Sequence, residues 1–132
     1  MAGPGTASAR YEPRHHRLRL VFTGDVDSAA YMACMEGWLH AEPAAASADW
    51  LYDLRDYHGS VSHDDVQAFA RAYDAVVGTS DAGAISVFVT PDPGFRFWVQ
   101  ACAHAFARRR LIVVNTLPEA EALLHGDAAP AA

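Results

Sequence analysis

The chain has 132 residues, 52% of them hydrophobic and 20% charged, with a formal net charge of -6. This is the composition of one globular domain, long enough to bury a core without disulfides or metals. The acidic balance, with a pI near 5.5, speaks against nucleic acid or an anionic membrane as a partner, because both require a basic face.

All ten basic residues are Arg and Lys is absent, which excludes Schiff-base, pyridoxal-phosphate and phosphate-loop lysine chemistry together. Residues 1–10 hold no continuous apolar run and read as a flexible arm. Residues 126–132 read as a fraying tail, leaving one domain over 11–125. No stretch approaches the roughly 20 apolar residues of a membrane span, so the cytoplasm is the expected location. Charge concentrates in the middle, where residues 24–92 carry two Arg against twelve acids.

Leu18, Leu20 and Phe22 alternate with Arg17 and Arg19, predicting a strand over 17–23 with one wetter face. A further edge strand around residues 9–14 stays open. Asp27 can cap a helix over roughly 28–41, in which Tyr31, Cys34, Met35, Trp38 and Leu39 recur at helical spacing until Pro43. Residues 50–54 read as a short strand and 55–60 as the turn at its end. Ser62 can cap the next helix, with Asp64 and Asp65 at its positive pole and Val66, Phe69, Ala70, Tyr73, Val76 and Val77 on its inward stripe; Gly78 stops it. Residues 84–90 are rich in β-branched and aromatic side chains, as suits a strand covered on both faces. Asp92 and Pro93 open a third helix with Phe95, Trp98, Val99, Cys102, Ala105 and Phe106 inward, and Arg108, Arg109 and Arg110 are expected at its C-terminal pole. Residues 111–114 form a last buried strand. Thr116 and Glu119 make a capping box for a closing helix through Leu124. Strands alternating with helices predict an α/β domain with a mainly parallel sheet of four or five strands, covered by about four helices.

The segment Leu51-Tyr52-Asp53-Leu54-Arg55-Asp56-Tyr57-His58-Gly59 precedes the Ser62-capped helix. With the strand over 85–89, the strand over 112–114 and Glu119-Ala120-Glu121-Ala122-Leu123-Leu124, it resembles the SpoIIAA-like members of the STAS-domain superfamily. The resemblance runs over roughly residues 17–124. It implies a single cytoplasmic α/β domain without an established reaction, related to anti-sigma-factor antagonists that bind a partner protein and are switched by serine phosphorylation. Those antagonists carry Asp-Ser-Ser-Gly or Asp-Ser-Thr-Gly at the start of a helix, whereas this chain has His58-Gly59-Ser60-Val61-Ser62-His63-Asp64-Asp65. A phosphate on Ser60 or Ser62 would sit beside two carboxylates and be repelled.

Asp53, Asp56, His58, His63, Asp64 and Asp65 are the densest ionisable cluster, at the strand end where open α/β sheets bind ligands. Their spacing matches no metal-ligand motif, and Arg55 pairing with a neighbouring acid accounts for part of the set. No nucleophile elbow or dinucleotide fingerprint is present, and Cys34 and Cys102 read as buried structural thiols. The leading expectation is a non-enzymatic regulatory domain without metal or cofactor. It would recognise a protein partner through Arg55, Asp56, Tyr57, His58, Ser60, Ser62 and Phe97, with a homodimer through the third helix as an option. One alternative is a small apolar or lipid-like ligand in a cleft lined by Phe69, Tyr73, Phe97 and Trp98. The weaker alternative is a metal-dependent hydrolase at Asp53, Asp56, His58 and His63.

Overall fold

The computed structural model describes residues 5–59 and 61–128, with side chains through Leu124. In chain order the elements are β1 (Thr6–Glu12), β2 (Arg17–Gly24), α1 (Ser28–Ala41), β3 (Asp49–Tyr57) and α2 (His63–Val77). They continue as β4 (Ile85–Val89), α3 (Phe95–Cys102), β5 (Arg110–Val114) and α4 (Leu117–Ala128), with 3-10 turns over Pro43–Ser47 and Ala103–Phe106. The sheet runs β1-β2-β3-β4-β5. Its β1 is antiparallel to β2, and the remaining neighbours are parallel.

Local signals set most boundaries. The Asp27 carboxylate accepts from the Ala30 N–H at 2.9 Å and starts α1. The Ser62 hydroxyl accepts from the Asp65 N–H at 3.1 Å and starts α2. Gly78, at φ 60, ends α2 in a conformation that a Cβ would strain. The Thr116 hydroxyl accepts from the Glu119 N–H at 3.3 Å and donates to the Glu119 carboxylate at 2.9 Å at the start of α4.

Four expectations change. The arm expected over residues 1–10 contributes Thr6–Arg10 to β1, registered from Thr6↔Thr23 to Glu12↔Arg17. Its half-buried Ala7, Ala9 and Tyr11 alternate with exposed Thr6, Ser8 and Arg10, a period of two that small residues conceal from a hydropathy reading. At the other end α4 runs past Leu124 to Ala128, into the expected tail; residues 1–4 and 129–132 lie outside the described residues. Arg55, Asp56 and Tyr57 extend β3 instead of forming a turn, because Thr23 and Gly24 pair with Asp56 and Tyr57 after a register shift that gives β3 one extra residue. Finally, α3 ends at Cys102, so the three arginines do not neutralise its C-terminal pole.

Those arginines organise the interior. Arg109 is 5% exposed and its guanidinium lies 3.8 Å over the Trp50 ring. It donates to the carbonyls of Ala46, Ala48 and Ile85 and to the hydroxyls of Ser86 and Tyr73, at 2.6 to 3.3 Å. The Tyr73 hydroxyl in turn donates to Asp81 at 2.5 Å. Arg108 pairs with Asp81 at 2.6 Å and with Asp74 at 2.8 Å. A fork of five donors ties the 3-10 turn before β3, the end of α2 and the start of β4 to one point, a task the single ammonium of a lysine performs poorly.

The sheet separates two cores. On one face Leu18, Leu20, Trp50, Tyr52 and Leu54 pack with Phe69 and Tyr73 under α1, α2 and α3. On the other, Leu51, Ile85, Val87, Val89 and Val114 meet Ala120 and Leu124 of α4. Arg17 and Arg19 also point to this second face, where both pair with Glu121 at 3.2 and 3.0 Å. The wetter side of β2 is therefore a salt-bridged seam under α4.

Candidate functional site: an aromatic pocket at the strand ends

Large planar rings crowd the helix-covered face near the C-terminal ends of β3 and β4. Tyr52 and Phe88, opposite each other across the β3–β4 register, stack with centroids 4.4 Å apart at 15°. Phe22 meets Tyr52 and Tyr57 edge-on at 6.1 and 5.9 Å. Phe95 from α3 meets Phe88 at 6.0 Å and Tyr57 at 6.4 Å. Rigid rings held edge to face do not interdigitate as aliphatic side chains do, and an inner cavity of about 70 Å³ remains. Tyr52, Leu54 and Phe88 supply its sheet wall, and Val66, Trp98 and Cys102 its helix wall.

A second hollow of about 280 Å³ adjoins it and shares Tyr57, Val61, Phe95 and Trp98 with it. This outer hollow also has polar lining from His58, Thr90 and Asp92. The two form an apolar hollow, the chamber, continuous with a larger, more polar one, the mouth, placed where the βα connections of β3 and β4 begin, the usual ligand position of open α/β sheets. Tyr57 lines both. Its ring lies over Gly59, in the space a Cβ at that position would occupy, and the Val61 backbone hydrogen-bonds its hydroxyl.

The ionisable groups of the inner chamber stay protonated at neutral pH. Burial pushes the Cys102 thiol up to about 11. Burial also raises Tyr31, Tyr52 and Tyr57 above the ordinary phenol value. A thiol and phenols so shifted are held in their neutral forms there.

The residues singled out from sequence do not converge. Tyr57 and His58 line the mouth. Arg55 instead pairs with Asp53 through two 2.8 Å hydrogen bonds; the Arg55 guanidinium holds the Asp53 carboxyl below its usual range. Asp53 registers with Val89, a residue of the α4-side core, so this pair faces away from the pocket. Asp56 is exposed. Ser62 is engaged as the α2 cap, and Ser60 lies outside the described residues. His63 turns towards α3, with its Nε2 3.2 Å from the Ala101 carbonyl and its ring 6.1 Å from Trp98. Among the described residues no three His, Cys, Asp or Glu side chains gather as a metal site, and the Asp53, Asp56, His58 and His63 set is divided between these surroundings.

The cleft expected between Phe69, Tyr73, Phe97 and Trp98 is also redrawn. Phe69 and Tyr73 are fully buried in the core and Phe97 is 75% exposed on the outer side of α3. Of the four, Trp98 alone lines the pocket. Sequence reasoning missed Phe88, Phe95 and Thr90 as pocket residues. The available signal was the aromatic density of 85–89 and 95–98, which periodicity assigns to core packing.

No family model matches the chain, and no curated protein matches it. Among solved structures it is similar to an uncharacterised protein of the DUF3478 family with a SpoIIAA-like fold, from Shewanella loihica PV-4. The identity is 12% and the TM-score 0.63, over 94% of this chain and 95% of that one. Among the described residues no helix is long and apolar enough to cross a membrane. The five-stranded, mostly parallel sheet with four helices, set beside that structure, gives the conclusion that the chain has a SpoIIAA-like fold.

Proposed function

We propose that the protein is a non-enzymatic binding domain that takes a small molecule with an apolar group into the aromatic pocket. The observation that carries this reading is an apolar hollow that shares its Tyr57, Val61, Phe95 and Trp98 walls with a larger, more polar one. A dry cavity of about 150 Å³ accepts benzene. The inner chamber is about half that size, so it accommodates a compact group of a few carbons while the rest of the ligand occupies the mouth. Protonated phenols and thiol in the chamber favour retention over conversion.

The test is a titration with 3,3-dimethylbutan-1-ol, followed by amide and indole chemical shifts. Saturable shifts confined to Tyr57, Phe95, Trp98 and their neighbours are expected. A flat response to the alcohol and to its cationic and anionic isosteres, choline and 3,3-dimethylbutanoate, would sink the reading.

A protein-partner reading is favoured by a separate observation. Phe97 and Val76 are large apolar side chains exposed at 75% and 48%, Val76 against the inward position its helical spacing predicts, and Phe97 lies beside the Trp98 wall of the pocket on α3. An exposed aromatic of this kind suits an interface anchor. Sedimentation of the wild type and Phe97→Glu tests for self-association: a dimer dispersed by the substitution supports a homodimeric contact, and monomers throughout count against it.

A further inference from the structure

Resting on the ligand-binding reading, we infer that the mouth selects an organic cation, a compact alkylammonium group whose charge is held among Tyr57, Phe95, Trp98 and Asp92. Three aromatic side chains, the Asp92 carboxylate and the His58 imidazole line the same hollow of about 280 Å³. Aromatic faces carry negative quadrupole potential, and rings gathered around an alkylammonium are the recurrent way proteins hold such a group. Among the described lining residues there is no Arg, and Arg96, although adjacent to Phe95, does not line the hollow.

The helix termini near the mouth argue for an anion and must be weighed. Each helix N-terminus is equivalent to about half a positive charge. Those of α2 and α3 begin here, since Val61 precedes the α2 cap and Phe95 starts α3. Each pole is already answered by full negative charge. Asp64 and Asp65 occupy the first turn of α2, and the Asp92 carboxylate accepts from the Gly94 N–H at 2.9 Å just before α3. The remaining sign is negative, in keeping with two Arg against twelve acids over residues 24–92. Size agrees as well, because a trimethylammonium group fits the mouth while the tighter inner chamber of about 70 Å³ is left for an uncharged appendage.

The experiment compares three probes of nearly equal shape on the full chain: choline, its uncharged carbon isostere 3,3-dimethylbutan-1-ol, and the anion 3,3-dimethylbutanoate. Affinities are read from the same chemical-shift titrations. Choline is expected to bind about fivefold more tightly than the alcohol, as a cation–aromatic contact open to solvent supports, with the carboxylate weakest. Asp92→Asn keeps an oxygen for the Gly94 N–H and should bring the choline-to-alcohol ratio towards one. Equal binding of all three probes, or preference for the carboxylate, overturns the cation inference while leaving the ligand-binding reading in place. An unchanged ratio in Asp92→Asn overturns the role of that carboxylate. Binding by none of the three overturns both readings.

Discussion

Replacing Arg109 by Met removes a buried charge while keeping much of the side-chain volume, which makes the cost legible. The change strips donors from the Ala46, Ala48 and Ile85 carbonyls and from two hydroxyls. Hydroxyls rotate to other partners, so the three carbonyls dominate; at about 1 kcal/mol or a little more each they cost about 3 to 5 kcal/mol. The lost contact with the Trp50 face adds about 1 to 2 kcal/mol. Against this, an uncharged side chain no longer has to be desolvated, a gain of about 2 kcal/mol or more for a buried ion. The expected net loss is about 3 kcal/mol, a large part of the roughly 5 to 15 kcal/mol that holds a domain together. Urea unfolding followed by Trp fluorescence should show the midpoint falling by about 1.5 M at an unchanged slope near 2 kcal/mol/M. Arg109→Lys should fall between the two, since an ammonium reaches fewer of the five acceptors. A midpoint within about 0.3 M of wild type would mean that desolvation cancels the bonds and that Arg109 does not organise this core.

Asp81 is fully buried. Burial raises its pKa, but hydrogen bonds from Arg108 and Tyr73 outweigh that and leave it below the usual carboxylate range. Its contribution is therefore complete above about pH 4 and drains away as pH falls through the depressed folded value. Asp81→Asn should be less stable at neutral pH and lose less stability on acidification, and parallel stability curves for the two proteins would refute the assignment. Burial also pushes both Cys34 and Cys102 up to about 11. Native protein at pH 8 should thus label with a thiol reagent about a hundredfold more slowly than unfolded chain, from thiolate fraction alone; equal rates would contradict the shift. Gly59→Ala places a methyl group in the space of the Tyr57 ring. It should swing that ring out of its contacts with Phe22 and Phe95, change alcohol affinity at the pocket and cost about 1 to 2 kcal/mol of stability. Unchanged Tyr57 ring shifts would argue against the contact.

How far the sequence reaches is set by the range of each interaction. The α1 bounds, the Asp27 and Ser62 caps and the Gly78 stop depend on residues within one or two turns of each other, and they were readable. Phe97 was likewise placed off the inward stripe and stands exposed. Arg109 is different, because its partners lie 23 to 63 positions away and nothing local distinguishes it from Arg108 or Arg110. The same limit explains the pocket. Phe88 and Phe95 each satisfy a core pattern, and only the register of β3 against β4 sets Tyr52 flat on Phe88. The ionisable residues of 53–65 part company for a further reason. Strand alternation sends Asp53 to the α4 side, while Tyr57 and His58, beyond the register shift, serve the mouth.

The sheet also acts as a partition between regions that can vary separately. Packing under α4 involves Leu51, Val87, Val114, Ala120 and Leu124, none of which lines the pocket. Substitutions in the two layers should thus combine additively when their side chains share no neighbour. A lineage or a designer can harden the α4 layer, or rework the Arg17, Arg19 and Glu121 seam, and leave the recognition layer free to drift towards new ligands.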